Sequence, residues 1–290
     1  MPTIKFNWFT VQLPPNSKIN FCDALSKIPH KYSNGIPREQ IATDWFALKD
    51  LSNSNNLITG QIVKIVMDEQ PAISDIKSPT IEIKPIDMTP SQGICQETAF
   101  LYSPEFNVLM LQKRGEGVSV GCFQSLMRKI CGVDWVRLSV LLDATSFEKY
   151  KRIRKMRSFE FSVANIKNPD IFLGQDQMLN SLTECSRKYG AINLSIKMTH
   201  GHKKGHLILE NIKETIDILL NSPSTKKLKI SGYSEDDIEI PLLNLIKDRM
   251  FSKFTASNKG RRIDMDDVMQ KMRFEYSKKL SDLRLMFKDN

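Results

Sequence analysis

Residues 250–269, MFSKFTASNKGRRIDMDDVM, lead from a basic turn into the longest uninterrupted helical pattern in the chain. Asp264 offers an oxygen that can cap a helix, and the two acids after it place negative charge where free N–H groups and the helix dipole favour it. A helix of about 25 residues is therefore predicted, with a length of about 37 Å. It needs a partner surface, either on its own chain or in a second subunit. Spacings of three and four predict one apolar face, made of Met265, Met269, Met272, Tyr276, Leu280, Leu283 and Phe287.

Length and composition set the broad class of the protein. The chain has 290 residues, more than one hydrophobic core usually supports, so two domains are expected, at 1–147 and 148–290. A hydrophobic fraction of 41% with 26% charged residues is ordinary for a globular protein.

No run approaches the roughly 18 apolar residues of a membrane span, and the start, MPTIKFNW, lacks the pattern of a signal peptide. A cytoplasmic protein is expected. The five scattered cysteines fit reduced thiols better than disulfides.

The fold class predicted from the pattern of elements is α+β. The N-terminal half is strand-rich, with strand candidates such as 4–13 and 57–67 and two short helices. In the C-terminal half, residues 158–166 have period two, with Phe159, Phe161 and Val163 on one side. Two helices then alternate with two further strands. This β-α-β-α-β order predicts a mixed sheet covered by helices, followed by the long amphipathic helix. Residues 238–254 are either one long strand or a broken pair.

Positive charge is the strongest functional signal. A formal net charge of +9 favours polyanionic partners such as nucleic acid. Each basic cluster taken alone is more often a solvated surface, but together they suit neutralisation of phosphates. The sequence shows no helix-turn-helix, zinc-finger or RNP signature, so largely sequence-independent DNA binding is expected. The predicted DNA-binding residues lie in a presumed hinge between the halves, a central pair and the turn before the last helix: Lys149, Lys151, Arg152, Arg154, Lys155, Arg157, Lys203, Lys204, Lys253, Lys259, Arg261 and Arg262.

Signals for catalysis are weaker. Asp75 followed by Glu82-Ile-Lys84 resembles metal-dependent nucleases, in which two carboxylates hold Mg²⁺ and a lysine steadies the attacked phosphate. Such common residue types also recur by chance, and the short gap crosses a proline. A Mg²⁺-dependent nuclease is therefore kept as the alternative to a non-catalytic protein.

The sequence also contains a cluster of histidines, and its basic surface is compatible with a different kind of acidic partner. His200, His202 and His206 gather in THGHKKGH, but two lysines inside the run disfavour a cation, so a loop is expected there. No catalytic residue, metal or cofactor is predicted. A third function class is an interaction subunit whose basic surface meets an acidic protein or an anionic membrane.

The chain also shows a resemblance at the level of architecture. A period-two strand, two strand-helix units, RRIDMDDVM (261–269) and a long terminal helix, together with ETAFLYSPEFNVLMLQ (97–112), resemble the RexA-like and KwaB-like phage-exclusion family. The resemblance implies a cytoplasmic homodimer that binds DNA without strong sequence preference, senses infection and acts with a membrane effector protein. It implies no catalytic residues.

Overall fold

A computed structural model describes residues 1–31, 37–77, 82–164, 177–201, 205–222 and 224–287, and for residues 27–31 the backbone alone. The described chain is α+β, as predicted. The helices are α1 Phe21–Lys31, α2 Val120–Cys131, α3 Ala144–Arg152, α4 Gln177–Tyr189, α5 Leu209–Asn221 and α6 Met265–Met286. The strands are β1 Thr3–Gln12, β2 Arg38–Ile41, β3 Asp44–Ser54, β4 Leu57–Val66, β5 Ala72–Ile73, β6 Lys84–Pro85, β7 Ile94–Ser103, β8 Val108–Lys113, β9 Arg137–Val140, β10 Lys155–Ala164, β11 Asn193–Thr199, β12 Thr225–Tyr233, β13 Glu239–Asn244, β14 Phe251–Thr255, β15 Asn258–Lys259 and β16 Arg262–Ile263.

The chain forms two compact units. Unit 1 comprises Met1–Leu138 and Phe251–Lys279, and unit 2 comprises Ser139–Met250 and Leu280–Asn290. This division differs from the predicted domains 1–147 and 148–290 because β14 pairs with β1 and so returns to the first unit. The presumed hinge, 148–157, is no linker, since it forms the end of α3 and the start of β10 inside unit 2. Residues 238–254 are a broken pair, in which β13 and β14 belong to different sheets.

Unit 1 is built on one antiparallel sheet with the strand order β14-β1-β8-β7-β4-β3-β2. Helices cover both faces of its centre. On one face the ring of Phe21 on α1 meets Tyr102 of β7, with centroids 4.9 Å apart. On the other face Tyr276 of α6 stacks on Trp8 of β1 at 6.2 Å and meets Ser103 through their hydroxyl oxygens, 2.8 Å apart. Successive residues of β8 are consequently buried from Val108 to Gln112.

The long helix α6 begins as predicted. Asp264 accepts hydrogen bonds at Oδ1 from the backbone N–H groups of Asp266 and Asp267, at 3.1 and 3.4 Å, which confirms its capping role. Met272 and Tyr276 are buried in unit 1. The part of α6 that belongs to unit 1 therefore packs in cis, on the sheet of its own chain.

Unit 2 contains a four-stranded sheet in the order β11-β10-β12-β13. The predicted β-α-β-α-β order is confirmed as β10-α4-β11-α5-β12, but every pair in this sheet is antiparallel rather than mixed. The reason is visible in the register: Ala164, at the end of β10, pairs with Asn193, at the start of β11, so the connection leaves and re-enters at the same end of the sheet. The core of unit 2 lies between this sheet and the helices α4 and α5.

In the described residues no helix has the length and apolar character needed to cross a membrane.

Candidate nucleic-acid interface

The sheet of unit 2 has one face that α4 and α5 do not cover. Along β10, Phe159, Phe161 and Val163 point into the core and are fully or almost fully buried, as predicted. Because side chains alternate along a strand, the residues between them lie on the opposite face, which we call the open face. Cross-strand register arranges most of it in three rows, which are Thr199–Ser158–Ser231, Lys197–Glu160–Lys229–Asn244 and Ser195–Ser162–Lys227. A fourth row, Lys155–Tyr233–Glu239, continues the same face beyond the β-bulge at Arg157.

Three lysines on this face surround a single carboxylate. Lys197 and Lys229 stand opposite Glu160 from the two strands that flank β10. Neighbouring strands lie about 4.8 Å apart, so the backbones that carry Lys197 and Lys229 are separated by about 10 Å. Lys227 lies two residues, or about 7 Å, from Lys229 along β12, and its Nζ donates a hydrogen bond to Glu160 Oε1. The three ammonium groups thus fall within a compact area.

The lysines act together on Glu160. The hydrogen bond from Lys227 lowers the pKa of Glu160 below its ordinary value, and the positive charges of Lys227, Lys229 and Lys197 lower it further. The carboxylate is therefore ionised at neutral pH and offsets one of the three positive charges. Among the described residues, Lys227 is the one of these three lysines that has a carboxylate oxygen within 4 Å. The row retains a net positive charge.

The chemistry of the remaining residues fits phosphate oxygens. Serine and threonine hydroxyls make up the outer two of the three rows apart from Lys227, and Ser158 and Ser231 lie with their oxygens 2.6 Å apart. Hydroxyls and lysines are common partners of phosphate. The aromatic ring of Tyr233 lies in the fourth row, where its hydroxyl accepts a hydrogen bond from Arg157. The three rows therefore offer groups that can contact phosphate oxygens.

The predicted basic run of unit 2 is partly neutralised by acids from a distant part of the sequence. Lys155 Nζ lies 2.6 Å from Asp237 Oδ1. Arg157 Nη1 lies 3.6 Å from Glu239 Oε1 and donates to the Tyr233 hydroxyl at 3.2 Å. Two of the predicted DNA-binding residues are therefore paired with acids, because the turn after β12 and the start of β13 lie beside the start of β10.

The other cations of the run lie at the end of α3 and just after it. Lys149, Lys151 and Arg152 belong to the last turn of the helix. Lys151 Nζ donates to the carbonyl of Met286 at 3.4 Å, and Arg154 Nη1 donates to the carbonyl of Lys151 at 2.6 Å. Lys151 and Arg154 thus also make contacts within unit 2.

The predicted residues near the terminal helix belong to unit 1. Lys253 is exposed on β14, and Lys259 and Arg261 are exposed in the β15–β16 hairpin. Arg262 Nη2 forms an ion pair with Glu97 Oε2 at 2.9 Å. The predicted set is thus divided between the two units. Lys203, Lys204 and His202 lie outside the described residues.

The residues of the nuclease alternative surround the short β5–β6 hairpin. Lys84 Nζ lies 3.2 Å from Glu82 Oε2, with both side chains about two-thirds exposed. Asp75 Oδ1 accepts a hydrogen bond from the backbone N–H of Lys77 at 2.9 Å. Over the described ranges, no three His, Cys, Asp or Glu side chains are placed to hold a metal ion. Glu82 thus faces its neighbouring lysine on an exposed hairpin, and the nuclease alternative stays a prediction.

Lys197 was absent from the predicted site, whereas Lys227 and Lys229 stood out in the sequence only as part of a basic cluster with Lys226. Lys227 and Lys229 are two residues apart in a strand, and Lys197 lies between Ser195 and Thr199 with the same period. Period two predicts a polar face for each strand. The signal does not say which strands are neighbours, and this pairing gathers the three lysines around Glu160.

Comparison with protein families gives one finding. Residues 39–286 match a family described as a family of unknown function, DUF6731. No curated protein matches the chain.

Proposed function

We propose that this chain, which belongs to the DUF6731 family of unknown function, binds nucleic acid through its phosphate backbone, without sequence preference. The observation that supports this proposal is the open face of unit 2, where Lys197, Lys227 and Lys229 lie on the two strands that flank β10, around the carboxylate of Glu160. A net charge of +9 adds long-range attraction to the same partner. The protein acts in this proposal as a binding protein rather than as an enzyme.

The composition of the open face favours duplex DNA over single strands. Proteins that hold single strands stack bases on several aromatic side chains, and the three rows offer hydroxyls, lysines, one glutamate and one asparagine instead, with the Tyr233 ring at their edge. A duplex presents phosphates outside and bases inside, so contacts from this face reach the backbone. Each lysine that neutralises a phosphate releases counterions, which makes the affinity fall as salt rises.

Anisotropy titrations with labelled duplexes of two unrelated sequences test the proposal. We expect equal affinities for both sequences and a log–log dependence of affinity on salt with a slope of about −0.9 per phosphate contact. Replacing Lys197, Lys227 and Lys229 by threonine, which suits a strand, should make the slope shallower by about 2–3 and weaken binding of both duplexes alike.

The matched control removes the same charge elsewhere in unit 2. Lys188, Lys213 and Lys226 are exposed and lie outside the open face, so their triple replacement by alanine tests whether charge alone suffices. The proposal fails if the wild-type chain binds no duplex at low salt, or if both triple variants lose affinity equally. Binding to anionic vesicles without binding to duplex would favour a membrane surface as the partner.

The biological setting of the proposal comes from the resemblance to phage-exclusion proteins. In that setting the chain is a cytoplasmic homodimer that binds DNA, senses infection and acts with a membrane effector protein. Phage plating on bacteria that express wild-type protein or the open-face triple variant tests it. We expect fewer plaques only with the wild type, and light scattering at μM concentration should give twice the mass of one chain. Equal plating with and without the protein would remove the defence role and leave DNA binding to be judged by the titrations.

A further inference from the structure

Unit 1 contains a row of three lysines that the sheet register places side by side. Lys5 of β1 pairs with Lys253 of β14 on one side and with Lys113 of β8 on the other. All three residues are exposed. Directly paired residues have Cβ atoms about 4.5–5.5 Å apart, so the row spans about 10 Å across three strands. We call it the lysine row.

Such a row is unfavourable for the isolated protein. Like charges directly opposite each other on neighbouring strands destabilise a sheet, and Lys5 has such a neighbour on both sides. Their repulsion is reduced by solvent and salt. It is removed when an anion binds between the ammonium groups.

The surroundings of the row supply no such anion from the chain itself. The pairs that flank it on the same face are Thr3 with Thr255, and Asn7 with Phe251 and Leu111, all uncharged. Among the ion pairs within the described part of unit 1, none includes a lysine of the row. The positive charge of the row is therefore directed to solvent.

The position of the row leaves it accessible. Lys5 shares a sheet face with Phe9, which is buried, because both lie at odd positions of β1. The helical cover of that face thus extends over Phe9 and ends before Lys5, which is exposed. A ligand can approach the row across three strands without displacing a helix.

We propose that Lys5, Lys113 and Lys253 form a second phosphate-binding site, on unit 1, which holds a segment of nucleic-acid backbone laid across the strands. The identity of the ligand rests on the proposed function. Lysine acts on phosphates as a flexible point charge rather than a directional fork, so three adjacent lysines hold consecutive phosphates without reading sequence. The chain then has one cationic surface on each unit.

The experiment compares wild type with Lys5→Thr, with the triple threonine variant of the row, and with Lys49→Thr. Lys49 is the matched control because it is a partly exposed lysine on β3 of the same sheet whose Nζ lies 3.3 Å from Asp50 Oδ2. Duplex titrations should show a slope shallower by about 2–3 and about tenfold weaker binding at 100 mM salt for the triple variant. Lys49→Thr should change the slope by less than one contact.

Thermal unfolding provides a second readout that does not require DNA. At low salt Lys5→Thr should raise Tm by about 1–3 °C, and this gain should vanish at about 1 M salt, where the screening length is near 3 Å. Inorganic tripolyphosphate should raise the Tm of wild type and of Lys49→Thr at constant ionic strength, and should raise the Tm of the row variants less, because only the open face of unit 2 is left to bind it.

The outcomes separate the two proposals. If wild type binds duplex and the row triple variant behaves like Lys49→Thr, the second site is wrong while the proposed function stands. If wild type binds no duplex, the proposed function fails, and the row is a phosphate site only if tripolyphosphate stabilises wild type more than Lys5→Thr. Equal stabilisation of both would remove the site altogether.

Discussion

The two sheets of the molecule differ in how many of their faces are covered. In unit 1 the strands β1, β7 and β8 lie between α1 and α2 on one face and α6 on the other, so β8 is buried at five successive residues. In unit 2 the helices α4 and α5 cover one face, and β10 alternates between fully buried and partly exposed positions. The difference shows how burial determines the sequence pattern. Strands that are buried on both faces have runs of apolar residues, and strands that are buried on one face alternate between apolar and polar residues.

Buried and open sheet faces also suit different roles, since a buried face contributes to stability and an open face can carry charged residues for binding. A face buried under a helix tolerates few polar side chains, because an unsatisfied polar group in a core costs about 1–3 kcal/mol. The open face of unit 2 is free of that constraint and accommodates Lys197, Glu160 and Lys229 in one row. A surface for a polyanion is therefore expected on the sheet that is covered once, or at positions such as Lys5 where the cover of the other sheet ends.

The largest expected effect on stability comes from substitutions that test whether one or both faces of each sheet are buried. Leu109→Ala and Met110→Ala change adjacent residues of β8 that point to opposite faces, and both are fully buried, so each should cost about 2–5 kcal/mol. In β10, Phe161→Ala should cost about 3–5 kcal/mol, whereas Ser162→Val should stay within about 0.5 kcal/mol.

Urea unfolding followed by fluorescence measures these four variants. A value within about 0.5 kcal/mol for either residue of β8 would show that one face of that sheet is not packed. A large loss for Ser162→Val would show that the open face is covered.

Local patterns predicted much of this fold. The period of residues 158–166 predicted β10 and its buried face, and Asp264 with the acids after it predicted the start of α6, because both signals come from neighbouring residues. Pairings between distant residues were not predictable from such signals. Ile4 pairs with Phe254 across almost the whole chain, and no local pattern in either strand specifies that partner.

The candidate site shows the same limit. The density of charge at 149–157 predicted an interface, but Asp237 and Glu239 neutralise Lys155 and Arg157. The lysines of the open face and of the lysine row gain their significance from strand order, since each row combines residues from three or four strands. The density of charge along the sequence does not distinguish basic residues that are paired with acids from basic residues that strand pairing brings together.

Removal of a hydrogen bond between α6 and the sheet of unit 1 should have an intermediate effect on stability. Tyr276 of α6 and Ser103 of β7 share a buried hydrogen bond of 2.8 Å between their hydroxyls. Tyr276→Phe leaves the Ser103 hydroxyl without this partner, so we expect a loss of about 1 kcal/mol in the free energy of unfolding. Gln270→Ala, an exposed change on the same helix, is the control and should stay within about 0.5 kcal/mol. Equal values for both variants would mean that this bond does not help to hold α6 on the sheet.

A smaller effect is expected from the carboxylate of the open face. Glu160→Gln removes the negative charge between Lys197 and Lys229 and releases Lys227 from its ion pair. Duplex affinity at low salt should rise by about 3–10-fold, since one repulsion is lost and one cation becomes available. The pKa of Glu160 is lowered, chiefly by the hydrogen bond from Lys227, so the increase should be equal at pH 5 and pH 7. Glu214→Gln on α5 is the matched control, and weaker binding by Glu160→Gln would place the nucleic acid elsewhere.

The smallest effect concerns the start of α6, where Asp267 fastens the helix to the preceding turn. Its Oδ2 accepts hydrogen bonds from the backbone N–H of Ser257 at 2.6 Å and from Lys271 Nζ at 2.9 Å. The hydrogen bond from Lys271 is the largest cause that lowers the pKa of Asp267 from 3.8 to about 2. The ionised form is thus the one that stabilises the folded state, and its contribution is complete above about pH 5.

Asp267→Asn should lower Tm at pH 7 more than Asp266→Asn, which removes the same charge from the same helical turn. As pH falls from 4 to 2 the unfolded chain binds a proton at Asp267 before the folded chain does, so the wild type loses this contribution. The difference in Tm between wild type and Asp267→Asn should therefore shrink across that interval, while the difference for Asp266→Asn changes less. A difference that stays constant down to pH 2 would show that the charge of the Asp267 carboxylate does not stabilise the start of α6.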